Sequence, residues 1–207
     1  MSVFIHHAAD AAIADWIERH LRDALAGGNG PVAITVPGGS TPFPIFEHLA
    51  RRDLVWSRIE IWPGDDRVVP EDHAASNTGR IRAIFEPAGA RVETLGEDAD
   101  LPPFALTWLG MGADGHIASL FANTDPDPDD PRRVRRLTPD PLPAEAPFDR
   151  ITLTIPSLIA TRALMFVIRG EEKLAVFEKA ARGGGDLPIA RLLARARGHG
   201  IAVTCFT

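Results

Sequence analysis

Three short apolar runs in this sequence end in residues that could do chemistry. The run 59–62 leads into Gly64, Asp65, Asp66 and Arg67. The run 105–109 leads into Gly110, Met111, Gly112, Ala113, Asp114, Gly115 and His116. The run 32–36 leads into Pro37, Gly38, Gly39, Ser40, Thr41 and Pro42. A neutral imidazole at His116 is a competent general base near neutral pH. The spacing predicts a short helix over 117–121, and its positive end would disfavour the charged imidazolium. In the 37–42 turn the glycines admit close backbone approach, Pro42 fits a first helical turn, and Thr41 is its expected cap. Free amides and two hydroxyls at a helix start favour an anion, phosphate above all. Each feature also has a plain reading: a capped turn, a solvated ion pair at 65–67, and a loop histidine. The literal GxGxxG at 110–115 is set aside, because no acidic residue ends a second strand about 20 positions on.

These junctions need elements to hold them. Helical spacing is legible over 8–26, 43–51, 76–85, 171–181 and 188–197. Strands are predicted at 32–36, 59–62, 105–109, 151–155, 163–168 and 201–206. The alternation predicts an α/β fold: a single-domain, Rossmann-like, largely parallel sheet flanked by helices. Strand order is not readable. In such sheets ligands sit outside the carboxyl ends of strands, where all three junctions lie. The Asp-Pro-rich segment 124–147 reads as a surface excursion within the domain.

Composition narrows the function. At roughly 150 residues per domain, 207 residues read as one domain, 1–207. Against 28 acidic residues stand 22 basic ones, a net charge of -6. That argues against a nucleic-acid partner, which wants a basic surface. One cysteine, Cys205, makes no internal disulfide and no zinc spacing. No signal-like start and no apolar stretch of membrane-spanning length is present, so no membrane partner and a cytoplasmic location are expected. There is no P-loop and no GxSxG elbow.

Taken together, VPGGSTP (36–42), GDDRVVPEDHAASN (64–77), LGMGADGHIASLF (109–121) and RITLTIPSL (150–158), with GEEK (170–173), resemble the 6-phosphogluconolactonases. The motifs keep the family's order and span most of the chain. Asp66 stands where that family more often has glutamate, and Ile117 where it more often has threonine. The resemblance implies hydrolysis of 6-phospho-D-glucono-1,5-lactone to 6-phospho-D-gluconate in the oxidative pentose phosphate pathway. A lactone is an activated ester, so water can attack without a covalent enzyme intermediate, and the scheme calls for no metal and no cofactor. His116 is expected to take the proton from water. Arg67 and amides of the 110–115 loop are the candidates for the oxyanion. Asp65 orients either His116 or a sugar hydroxyl. The phosphate is expected on Gly38, Gly39, Ser40 and Thr41, with Arg150 and Lys173 completing the site by resemblance. Asn77, Gly112, Asp114 and Gly115 are the remaining expected substrate contacts. Two alternatives stand beside this reading. One is an isomerising glucosamine-6-phosphate deaminase; the other is a non-catalytic sugar-phosphate sensor. Oligomeric state is not readable.

Overall fold

Strands covered on both faces favour apolar residues throughout, and the VAITV run of residues 32–36 is buried at every position and apolar at all but Thr35. The computed structural model describes residues 3–124, 126–144 and 146–207. In chain order its elements begin with β1 (Val3–His6), α1 (Asp10–Ala26), β2 (Val32–Val36), α2 (Pro42–Ala50) and β3 (Ile59–Pro63). Then come β4 (Asp65–Arg67), α3 (Asn77–Phe85), β5 (Arg91–Val92), β6 (Leu106–Leu109) and β7 (Val134–Leu137). The chain finishes with β8 (Arg150–Leu153), α4 (Ile155–Leu158), β9 (Ala163–Val167), α5 (Glu171–Ala181), α6 (Pro188–Gly198) and β10 (Ala202–Phe206).

Seven strands form a parallel sheet in the order β1-β10-β9-β6-β2-β3-β5. One face is covered by α1, α2 and α3. There Ile13, Ile17 and Leu21, at helical spacing, are fully buried with Ile45 and Phe46 against Ile34, Ile61 and Trp108. Each such side chain contributes about 1.5–3 kcal/mol. The other face is covered by α5 and α6, through Phe177, Ile189, Leu192 and Leu193 packed on Leu164, Phe166 and Val203. From β2 the chain adds β3 and β5 on one side, and then β6, β9 and β10 on the other; the order therefore reverses between β2 and β6, which is where doubly wound sheets open a crevice.

A second, antiparallel sheet of order β4-β8-β7 sits on the α5–α6 side, with Val134 and Leu153 in the same core. It begins where β3 ends. Pro63 lacks an N–H, and Gly64 then crosses over: its N–H donates to the Val36 carbonyl at 2.8 Å, and its carbonyl accepts from Leu153 N–H at 2.9 Å. Asp65 and Arg67 are thereby carried over the carboxyl ends of the parallel strands.

Three local expectations change. Residues 117–121 are not a helix: Ile117 bridges Met111 and Leu120 around a tight turn, with Ala118 at φ 48. The strand expected at 151–155 is β8, and Ile155–Leu158 is the short helix α4. The 124–147 excursion holds β7, which pairs with β8 along its whole length. Among the described residues no helix is long and apolar enough to cross a membrane.

Candidate active site

The crevice between β2 and β6 is a cleft of about 290 Å³. Its reacting end is built from side chains that are each held. His116 Nδ1 lies 2.6 Å from Asp114 Oδ1, and the same oxygen accepts the His116 backbone N–H at 3.2 Å. An imidazole that donates from Nδ1 to a carboxylate presents Nε2 as its acceptor. Among the described residues Nε2 has no partner, and His116 lines the cleft. The loop is closed by Gly112 N–H to the His116 carbonyl at 3.0 Å and Gly115 N–H to the Gly112 carbonyl at 3.0 Å. Gly112 has to be glycine, since a Cβ there would collide with the His116 ring and the Asp114 carboxylate. Burial works to raise the Asp114 carboxyl, but the charge and hydrogen bonds of His116 outweigh it and hold Asp114 below the usual carboxylate range.

Asp65 faces the same space from β4. Its Oδ2 accepts from Ser119 Oγ at 2.5 Å. Burial pushes its carboxyl above the usual range, against the Ser119 hydrogen bond and the Arg67 charge. Asp114 and not Asp65 is the carboxylate on the His116 ring. Arg67 also lines the cleft and is fixed by donating from Nη1 to the Ala75 carbonyl at 2.8 Å. Asn77 Nδ2 donates to the Asp65 carbonyl at 2.9 Å, while its buried Oδ1 has no described partner. Gly38 makes room for that amide: a Cβ at 38 would overlap the Asn77 side chain.

Sequence reasoning missed the support beneath these residues. Asp66 is buried, at 6% exposure, and its carboxylate accepts from the N–H groups of Arg67 (2.7 Å), Asn77 (2.6 Å) and Thr78 (2.8 Å) and from Ser76 Oγ (3.1 Å). It satisfies the first amides of α3 and so fixes Asn77 and Arg67 from behind. The Asp-Asp-Arg triplet carried the signal: β-strand alternation sends the middle carboxylate away from its two neighbours.

The opposite end of the cleft is built differently. Gly39, Ser40 and Thr41 are exposed before α2, and their amides and hydroxyls have no described partner. Thr41 stands at the N-cap position but has helical backbone angles and no capping hydrogen bond. The expected cap is therefore absent, and its hydroxyl is left available. Lys173, in the first turn of α5, lines the same space and pairs with no described carboxylate.

Three expected residues stand elsewhere. Arg150 is 4% exposed and donates to the carbonyls of Phe148 and Ala146. It pairs across the small sheet with Arg67, and it does not line the cleft beside Lys173. Burial first, and then the neighbouring Arg67 charge, bring its guanidinium below the usual arginine range. Gly115, at φ 78, packs against Leu187 and accepts the Ile189 N–H at 3.1 Å, so it seats α6. Asp114 reaches the site only through His116. The N–H groups of Gly112, Gly115 and His116 are all engaged within the loop, while Arg67 presents its guanidinium to the cleft. His116 also lacks the helix end expected of it; its environment is set by Asp114 and by the Phe121 ring at 4.8 Å.

The chain has relatives with this arrangement of elements. Residues 6–94 and 85–201 match the family described as Glucosamine-6-phosphate isomerases/6-phosphogluconolactonase. The 6-phosphogluconolactonase of Pseudomonas aeruginosa is 37% identical over 191 residues, covering 81% of this chain and 79% of that protein. The 6-phosphogluconolactonase of Rhizobium meliloti is 34% identical over 223 residues, covering 95% and 94%. Among solved structures, a 6-phosphogluconolactonase from Shewanella baltica superposes with a TM-score of 0.83 at 25% identity, covering 99% of this chain and 97% of that one.

Proposed function

The chain belongs to the glucosamine-6-phosphate isomerase/6-phosphogluconolactonase family, and from that premise we propose that it hydrolyses 6-phospho-D-glucono-1,5-lactone to 6-phospho-D-gluconate. The observation that carries the reading is one cleft with two unlike ends. At one end an oriented imidazole presents a vacant Nε2; at the other, unpartnered amides, hydroxyls and a lysine await an anion. A substrate with a carbonyl to hydrolyse and a remote phosphate matches both.

In this mechanism His116 Nε2 removes a proton from water as the oxygen attacks C1. Asp114 holds the ring in the required tautomer and balances the imidazolium that forms. Arg67 faces the negative charge developing on the carbonyl oxygen, where a positioned donor lowers the barrier most. The C1–ring-oxygen bond then breaks, His116 returns its proton to the departing oxygen, and the new carboxylic acid gives a proton to solvent. Asp65, whose carboxyl is raised by burial and already accepts from Ser119, suits a sugar hydroxyl and not the imidazole. Ser40, Thr41, the Gly39 amide and Lys173 hold the phosphate. A phosphorylated substrate of this kind belongs to the cytoplasm, and the proposal puts the chain there, with residues 1–207 acting as one domain.

The test is product formation from two substrates. The purified protein is expected to accelerate loss of freshly prepared 6-phosphogluconolactone well above its spontaneous rate and to release no ammonia from glucosamine 6-phosphate. Ammonia release without lactone hydrolysis would overturn the proposal.

A further inference from the structure

The phosphate end as described contains one cation, Lys173, because Arg150 is turned away. A phosphate monoester carries about -1.5 to -2 charges at pH 7. A second arginine, absent from the reading of the motifs, lines the cleft: Arg169, just past β9 and four residues before Lys173. Its Nη2 donates to Asp10 Oδ1 at 2.9 Å and approaches the Ala8 carbonyl at 3.4 Å. Its Nε and Nη1 have no described partner. The guanidinium is a rigid fork of five donors. Anchoring one end at the start of α1 leaves the other end available and limits its swing.

Stability gives little reason for this pair. Both side chains are more than a third exposed, at 38% and 37%, and exposed ion pairs of this kind contribute almost nothing measurable to folding. An anchored arginine on the rim of an anion-binding cleft does have a use, since it binds without first being ordered. We propose that Arg169, positioned by Asp10, is a second phosphate-binding cation of the cleft and sets the preference for a phosphorylated over an unphosphorylated lactone. This inference rests on the lactonase reading above for its substrate, but not for its chemistry, which is recognition of a phosphate dianion.

The experiment compares wild type, Arg169→Ala, Arg169→Lys and Asp10→Ala on 6-phosphogluconolactone and on unphosphorylated glucono-1,5-lactone. The readout is the ratio of kcat/KM for the two lactones. Losing a charged hydrogen bond of this kind lowers that ratio about tenfold in Arg169→Ala, chiefly through KM. Arg169→Lys recovers part of the loss. Asp10→Ala lowers the ratio by a smaller factor, about threefold, because the fork loses its anchor while keeping its charge. An unchanged ratio in Arg169→Ala, or equal losses on both lactones, would overturn the proposal. Binding of inorganic phosphate, followed through the amide signals of residues 39–41, tests it without any turnover. The dissociation constant is expected to rise severalfold in Arg169→Ala, and an unchanged constant contradicts the inference. Should wild type fail to hydrolyse the lactone, the functional reading falls while the phosphate titration still decides the role of Arg169.

Discussion

The two ends of the cleft are organised on opposite principles. At the reacting end, His116, Asp65, Arg67 and Asn77 each make a hydrogen bond that fixes them, and Asp66 braces two of them from a buried position. At the proposed phosphate end, residues 39–41 and Lys173 have no described partner, and Arg169 is held by only one of its ends. The difference follows from what each end must do. Proton transfer depends on geometry, and a misplacement of about 1 Å can cost a hundredfold in rate. Binding of an exposed dianion depends on available donors, because donors already satisfied inside the protein have nothing to offer it. The same division appears in the carboxylates: Asp114, beside an imidazole, is held low, while Asp65, enclosed, is pushed high.

That contrast can be attacked from its largest consequence downward. Asp66 touches no substrate in this account, yet Asp66→Ala should lower stability by about 3 kcal/mol in urea unfolding, since it strips partners from buried N–H groups. A variant as stable as wild type would mean that the reacting end is not braced in this way. Gly112→Ala keeps every titratable side chain but drives a methyl into the His116–Asp114 pair. Its kcat should fall about a hundredfold with the melting temperature little changed, and near-normal turnover would contradict the need for fixed geometry. Lys173→Ala should raise KM about tenfold and lower kcat far less. Loss of kcat alone would move Lys173 to the reacting carbonyl.

The smallest effect sharpens the contrast between the carboxylates. The lowered Asp114 carboxyl stabilises the fold above the ordinary carboxylate range, and this is lost as pH falls through its folded-state value. The raised Asp65 carboxyl does the reverse: its contribution is present at low pH and lost as pH rises through its folded-state value. The stability of Asp114→Asn relative to wild type should therefore fall with rising pH, and that of Asp65→Asn should rise. Urea unfolding across the acid range reads both slopes, and parallel slopes would show that the two sites are not differently built.

Much of this was legible before the fold. Five helices and five of the seven parallel strands announce themselves because burial imposes a pattern: Ile13, Ile17 and Leu21 on α1, and a wholly buried run in β2. The three strand-end loops were legible because chemistry there demands glycine, carboxylate and imidazole together. The antiparallel sheet was not. β4 reads Asp-Asp-Arg and β7 reads Val-Arg-Arg-Leu; such short polar strands owe their existence to pairing with β8 and carry no pattern of their own. The turn at 117–121 has helical composition, but the bridges from Ile117 to Met111 and Leu120 override it. Arg150 was expected at the phosphate and Arg169 was passed over for one reason. Which arginine reaches a cleft is decided by the acceptors that the fold offers its guanidinium, the nearby Phe148 and Ala146 carbonyls for one and the distant Asp10 carboxylate and Ala8 carbonyl for the other, and spacing does not encode these.

The central claim is that an Asp114-oriented His116 activates water against a phosphorylated lactone. Its most direct test is the hydrolysis of freshly prepared 6-phosphogluconolactone, corrected for spontaneous opening, by wild type and a folded His116→Ala side by side. The account predicts fast turnover by wild type and a loss of about 10²–10⁴-fold in kcat for the variant. Equal rates from the two proteins would contradict it.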